Sequence, residues 1–219
     1  MRFRDRFDAG RQLADRVVDL DLTDPVVLGM PRGGVPVASP VAAALQAPLD
    51  VYVVRKVGAP GRSELGVGAV AEGEDEPVVS AVAKQLGLSD DDVRRLAVAS
   101  SKELARQVLA YRCGRPMVAV AGRDVVLVDD GLATGVSAEA GLQGLRLLQP
   151  RTLHFAAPVC ARQSLARVEA IADRVVSVHV ADDLGSVGEW YDDFTQTSDD
   201  EVIRLLTDES SWRRTSQQS

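Results

Sequence analysis

Short apolar runs alternating with helical patterns predict an α/β fold for this chain: an open, mainly parallel, twisted sheet with helices on both faces. Three observations carry that expectation. The apolar runs, such as "VVLV" at 125–128, are continuous, which suits strands buried on both sides. With 219 residues, 46% of them hydrophobic, the chain can build one sizeable core and is short for two. Finally, three of the expected strands run into glycine, aspartate or basic residues at their carboxyl ends, the edge where open parallel sheets bind ligands.

Taken in order, the pattern places a helix over 9–18, a strand over 26–30, a helix over 35–45 and a strand over 49–54. Residues 57–77 are rich in Gly, Pro and acids, which predicts a mobile segment or a hairpin able to act as a lid. Short strands follow at 69–71 and 78–80. A long helix over 89–112 has a start signal, Ser89 with Asp92 three residues on, resembling a capping box with Asp in place of Glu. A strand over 125–128, a helix over 137–148, a strand over 152–159, a helix over 163–172 and a strand over 175–180 complete the alternation. The expected organisation is one domain over 1–208, with a lid or insertion at about 57–115 and a hood at about 182–208. The polar residues 209–219 read as a flexible tail.

The net charge of −7, with Lys and Arg scattered, argues against nucleic acid or an anionic membrane bound through bulk electrostatics. Cys113 and Cys160 lie far apart without metal-ligand spacing, so neither a zinc site nor a disulfide framework is indicated. No apolar stretch suits a signal peptide or a membrane span, which makes the cytoplasm the expected location. A twofold homodimer is expected on general prevalence alone.

The stretch "VVLVDDGLATGVSAEAG", 125–141, sets two adjacent carboxylates at the mouth of a turn built to hold an anion. Gly131 and Gly135 permit successive N–H groups to point inward, Thr134 and Ser137 add hydroxyls, and the following helix offers its positive N-terminus. Such a turn suits a phosphate monoester. Asp129 and Asp130 at its rim suit sugar hydroxyls or, directly or through water, a Mg²⁺ ion. A bare Asp-Asp-Gly would be no more than a solvated turn. The order of strand, acid pair, "ATG", hydroxyl and helix says more.

That order resembles the phosphoribosyl pyrophosphate (PRPP) motif of the type I phosphoribosyltransferases. The resemblance implies the fold of that family, with Asp129 and Asp130 on the ribose hydroxyls and the loop Gly131, Leu132, Ala133, Thr134, Gly135, Val136 and Ser137 on the 5′-phosphate. The family usually ends this motif Gly-Gly-Thr or Gly-Gly-Ser, where this chain has Gly135-Val136-Ser137. "LGMPRGGVPVA" resembles the family's pyrophosphate loop, often built on a cis non-proline peptide, with Pro31, Arg32, Gly33 and Gly34 at its centre. "VVRKVGAP" resembles the strand end that sets a basic residue against the pyrophosphate; Lys56 is the first choice and Arg55 its competitor. "DAGRQLA" and "EWYDDFTQ" are similar to stretches of a bacterial subgroup of the family.

The resemblance implies displacement of pyrophosphate from PRPP by a nitrogen acceptor, a nucleobase in the first instance, within nucleotide metabolism. Mg²⁺, Lys56, Arg32 and the Asp pair would be the catalytic groups. Trp190, Tyr191 and Phe194 either stack on the acceptor or anchor the sheet edge. In 6-oxopurine transferases an acid usually stands where this chain has Ala133, so the general base, where one is needed, is sought at Glu64, Glu72, Asp182 or Asp183. The alternative reading is a non-catalytic PRPP-binding regulator of the same fold. A Rossmann dinucleotide site is excluded, since "GMPRGG" has the wrong glycine spacing.

Overall fold

The computed structural model describes residues 2–216. Helix α1 (Arg6–Val17) starts at Asp5, whose side chain accepts the Asp8 N–H, and leads into strand β1 (Pro25–Gly29), helix α2 (Gly34–Ala44) and strand β2 (Leu49–Val51). The chain then leaves this layer. Strands β3 (Val54–Ala59), β4 (Arg62–Ala71) and β5 (Val78–Val79) form an antiparallel sheet in the order β3-β4-β5, followed by the short helix α3 (Ala81–Gln85) and the long helix α4 (Asp90–Arg112). The capping box expected at Ser89 is present: its hydroxyl accepts the Asp92 N–H and the Asp92 carboxylate accepts the Ser89 N–H.

Strand β6 (Asp124–Val128) returns to the first layer, followed by α5 (Val136–Leu147), β7 (Thr152–Ala161), α6 (Arg162–Glu169), β8 (Arg174–Ala181) and α7 (Asp199–Ser216). The main sheet has five strands in the order β2-β1-β6-β7-β8, and every pairing in it is parallel. Alternate residues of its strands point to opposite faces. Val27, Val126 and Val128 face a core built with α1, α2 and α7, while Leu28, Leu127 and Phe155 face one built with α5 and α6. Both faces are covered, which explains why the strands read as unbroken apolar runs.

The expected strand 49–54 is in fact two strands. Parallel pairing with β1 ends at Val51, and Val54 already opposes Ala71 in the second sheet. The buried Tyr52 carries the chain between them, its hydroxyl donating to the Glu72 carbonyl. Arg112, at the end of α4, is buried and locks the junction from below, paired with Asp50 and with Glu72 and donating to the Val51 carbonyl. Helix α7 occupies most of the span read as a tail, and residues 217–219 lie outside the described residues. No helix among the described residues is long and apolar enough to cross a membrane.

Candidate functional site

The carboxyl ends of β1 and β6 and the start of β3 meet around a cleft of about 690 Å³. Its floor is the turn between β6 and α5. Gly135 caps α5 in the left-handed region at φ 78°, a conformation that favours glycine and lets the first N–H groups of the helix open toward the cleft. The turn is stitched to β7: the Leu132 N–H donates to the Val159 carbonyl, the Ala161 N–H donates to the Leu132 carbonyl, and the Ser164 hydroxyl donates to the Ala133 carbonyl. A helix N-terminus fixed in this way is a preformed anion cradle.

The second wall is the loop between β1 and α2. The Pro31–Arg32 peptide is cis, as the resemblance implied for this loop. Gly33 lies directly against the acid pair: a Cβ built on it would stand 1.9 Å from Asp130 Oδ2. Only glycine lets the two loops come this close.

The acid pair is held from behind. Asp130 N–H donates to Asp129 Oδ1 at 2.8 Å, and Arg6, the first residue of α1, sets both Nε and Nη2 at 2.9 Å from Asp130 Oδ2. The Tyr191 hydroxyl donates to the Asp130 carbonyl at 2.6 Å. Burial and the charge of its neighbour push the Asp129 carboxyl above the usual carboxylate range. Burial also raises Asp130, against the opposing pull of Arg6.

The third wall comes from β3 and α4. Val54, Arg55, Lys56 and Gly58 line it, with Ser100 opposite, whose hydroxyl donates to the Lys56 carbonyl at 3.1 Å. Lys56 is exposed, and Arg55 Nε is buried with no hydrogen-bond partner among the described residues. Positive charge therefore sits across the cleft from the carboxylates. This wall and Arg6 thus set cations on two sides of the acid pair, which offsets its charge.

Among the residues singled out from sequence, Pro31, Gly33, Arg55, Lys56, Asp129 and Asp130 line the cleft, as do Gly131 to Ala133, Thr134, Gly135 and Ser137. Gly34 and Val136 are buried behind it. Arg32 is turned away: it lies 3.7 Å from Asp199 and lines an adjoining recess. Trp190 and Tyr191 do not line the cleft either. They pack with Phe3 and Phe194 in a third apolar cluster. Phe194 lines the adjoining recess, beneath the Arg6 guanidinium at 3.9 Å. Of the candidate bases, Glu72 is paired with Arg112, Asp182 with Arg162, and Asp183 is exposed away from the cleft lining. The Glu64 side chain lies outside the described residues. Arg6, Ser100 and Val187 are not singled out by the sequence; each reaches the site from a distant segment, although Arg6 stands two residues before the "DAGRQLA" stretch and Val187 lies in the expected hood, two residues before "EWYDDFTQ".

No group of three or more His, Cys, Asp or Glu suited to a metal occurs among the described residues. Mg²⁺ usually takes one or two carboxylates and completes its octahedron with water and substrate oxygens. The Asp129–Asp130 pair fits that donor set.

A family model described as a phosphoribosyl transferase domain matches residues 4–193. Two curated relatives from Mycobacterium tuberculosis strains, both named as phosphoribosyl transferases, are 43% identical over 208 residues, covering 93% of this chain and 46% of theirs. The chain thus spans about half the length of the curated relatives it matches. The crystal structure of the protein TT1426 from Thermus thermophilus is similar at 45% identity and a TM-score of 0.80, covering 95% of this chain and 99% of that one.

Proposed function

The chain belongs to the phosphoribosyl transferase family, and from that premise we propose that it transfers the 5-phosphoribosyl group of PRPP to a nitrogen acceptor with release of pyrophosphate. The observation that carries this reading is the meeting, in one cleft, of an anion cradle, an acid pair and a basic strand end. The bond from the anomeric carbon to the pyrophosphate oxygen breaks, and a bond from that carbon to the acceptor nitrogen forms.

The N–H groups and hydroxyls of the 131–137 loop take the 5′-phosphate, while Asp129 and Asp130 accept from the ribose hydroxyls. Lys56, Arg55 and the N–H groups of the 31–34 loop face the diphosphate, whose growing charge they stabilise as the anomeric carbon becomes oxocarbenium-like. Asp129 and Asp130 would hold Mg²⁺, whose charge would help to neutralise the leaving diphosphate. Arg32 joins the diphosphate only by giving up its 3.7 Å contact with Asp199, a half-exposed pair that costs little to break. The β3–β4 hairpin, which carries Lys56, is the part of the wall placed to close over the ligand and keep out water.

The described residues lining the cleft include no carboxylate besides Asp129 and Asp130. An acceptor that attacks through a free lone pair, without prior loss of a proton, therefore fits this site best. The test is pyrophosphate release from PRPP and Mg²⁺ across a panel of bases and amines, alongside thermal unfolding with PRPP. The wild type should release pyrophosphate with at least one acceptor and be stabilised by PRPP by about 2.7 kcal/mol at a hundredfold excess over Kd. Asp129→Asn combined with Asp130→Asn should lose both responses. Retention of both by that variant would remove the acid pair from the site.

A further inference from the structure

Two carboxylates stand side by side at the rim of the cleft, yet they are not equivalent. Within the described residues, Asp129 accepts from a neighbouring backbone N–H, whereas Asp130 is gripped by a guanidinium 124 residues away in sequence. Arg6 is itself almost enclosed, its side chain 11% exposed. Nε and Nη2 converge on Asp130 Oδ2, Nη1 donates to the Thr195 carbonyl at 2.8 Å, and the plane lies over Phe194. A Cβ on Gly33 would come within 3.0 Å of Arg6 Nε, so the 31–34 loop also closes upon it.

The backbone that carries Arg6 is fixed on both sides. Asp5 caps α1, Asp8 accepts from the Arg4 N–H and guanidinium, and Phe3 and Arg4 pair with the backbone of 190–193. A guanidinium held so firmly fixes the direction of the carboxylate it binds. It also offsets the charge of one acid of the pair, which lowers the repulsion between adjacent carboxylates and between them and a phosphate-bearing ligand.

On the reading that the cleft takes PRPP, we infer that Arg6 is a positioning residue for ligand recognition: it commits Asp130 Oδ2 and thereby presents the rest of that carboxylate to a ribose hydroxyl, leaving Asp129 as the acid of the pair that no arginine grips. Arg6 does not touch the ligand in this assignment. Its effect should pass through Asp130 and through no other part of the site.

Calorimetric titration with Mg²⁺–PRPP, and with Mg²⁺–pyrophosphate as a probe lacking the hydroxyls, tests this. Arg6→Gln should weaken PRPP about tenfold or more, the loss expected for freeing a buried charged partner, while pyrophosphate binding stays within about twofold. In a double-mutant cycle, Arg6→Gln added to Asp130→Asn should weaken PRPP no further, whereas added to Asp129→Asn it should multiply the loss. Arg6→Lys should fold but recover little, since an ammonium cannot serve Asp130 and Thr195 with the same fork; it replaces Arg6→Gln in the cycle should the latter not fold. Wild-type affinity in Arg6→Gln, an equal loss for both probes, additive losses with Asp130→Asn, or failure of both Arg6 variants to fold would each overturn the inference while leaving the PRPP reading in place. Absence of PRPP binding by the wild type would overturn the reading and the inference together. If pyrophosphate does not bind the wild type, the cycle alone decides.

Discussion

Strand β6 begins at one carboxylate and runs out into two, and the two ends are treated in opposite ways. At the entry, Asp124 is 3% exposed and accepts from the Thr23 N–H, the Thr152 hydroxyl and the Arg151 guanidinium. Arg151 above all, helped by Thr152 and Thr23, holds its carboxyl far below the ordinary carboxylate range. At the exit, burial drives both Asp129 and Asp130 the other way, and at Asp129 the charge of Asp130 adds to it. Four residues of the same strand separate a satisfied acid from one kept short of partners. The entry edge is built to hold the sheet together, and on the proposed PRPP reading the exit edge keeps hydrogen-bonding capacity for the ligand.

Swapping out the acids at each end is the sharpest way to break that contrast. Asp124→Ala should cost about 1–3 kcal/mol, because it removes the shared acceptor of a backbone N–H, a hydroxyl and a guanidinium at the base of the sheet. Asp129→Asn should leave the ligand-free protein as stable as before or slightly more so, since it removes a desolvated charge beside a like charge. Chemical denaturation of both variants decides the matter. A loss at Asp129→Asn equal to that at Asp124→Ala would mean that both ends serve stability alike.

A methyl group at Gly33 tests how firmly the exit edge is closed. The new Cβ would meet Asp130 Oδ2 at 1.9 Å and Asp130 Cγ at 2.7 Å, and Arg6 leaves the carboxylate little room to retreat. Gly33→Ala should therefore cost about 1–3 kcal/mol in thermal unfolding and abolish PRPP-induced stabilisation. Unaltered ligand response would show that the loop and the acid pair can separate without consequence.

The two ends should also differ in sign with pH. Asp124, with its folded pKa lowered, contributes stability that is present above its unfolded value and is lost as pH falls through the carboxylate range. Asp129, with its folded pKa raised, costs stability that appears as pH rises above roughly 4, where the unfolded chain ionises first. Ligand-free stability should thus rise and then decline across this range. Asp124→Asn should flatten the acid limb and Asp129→Asn the other. A profile of Asp129→Asn parallel to that of the wild type above pH 4 would refute the assignment.

The anchored part of this site was legible in sequence because it is local. Strand, acid pair and glycine turn at 125–137 follow one another along the chain, and so do Pro31, Gly33 and Gly34. What the sequence did not reveal depends on contacts between distant segments. Arg6 meets Asp130 only because α1 crosses the sheet end, and Arg32 swings to Asp199 only because α7 packs beside α2. Helix α7 itself went unread because its polar, charged sequence gives a weak apolar periodicity, carried by Val202 and Leu206 at i, i+4. The expected strand 49–54 merged β2 with β3, since the buried Tyr52 and Val53 between them are as apolar as the strands they join.

The smallest expected effect concerns the wall opposite the acids. Gly66 lies on β4 of the hairpin, where a Cβ would meet nothing within 4 Å among the described residues and the backbone is not in the left-handed region. Alanine at such a site loses less conformational freedom on folding than glycine does, so Gly66→Ala should raise stability by about 0.4–1 kcal/mol. The hairpin register shifts around Val57 and Gly58, directly across from Gly66, so this part of the wall is held by irregular pairing rather than by ion pairs like those behind Asp130. The substitution should therefore leave PRPP affinity within about twofold while Gly33→Ala removes it, a change well under about 1.4 kcal/mol. A destabilised Gly66→Ala protein would show that the open wall is as tightly specified as the anchored one, and the division between them would have to be given up.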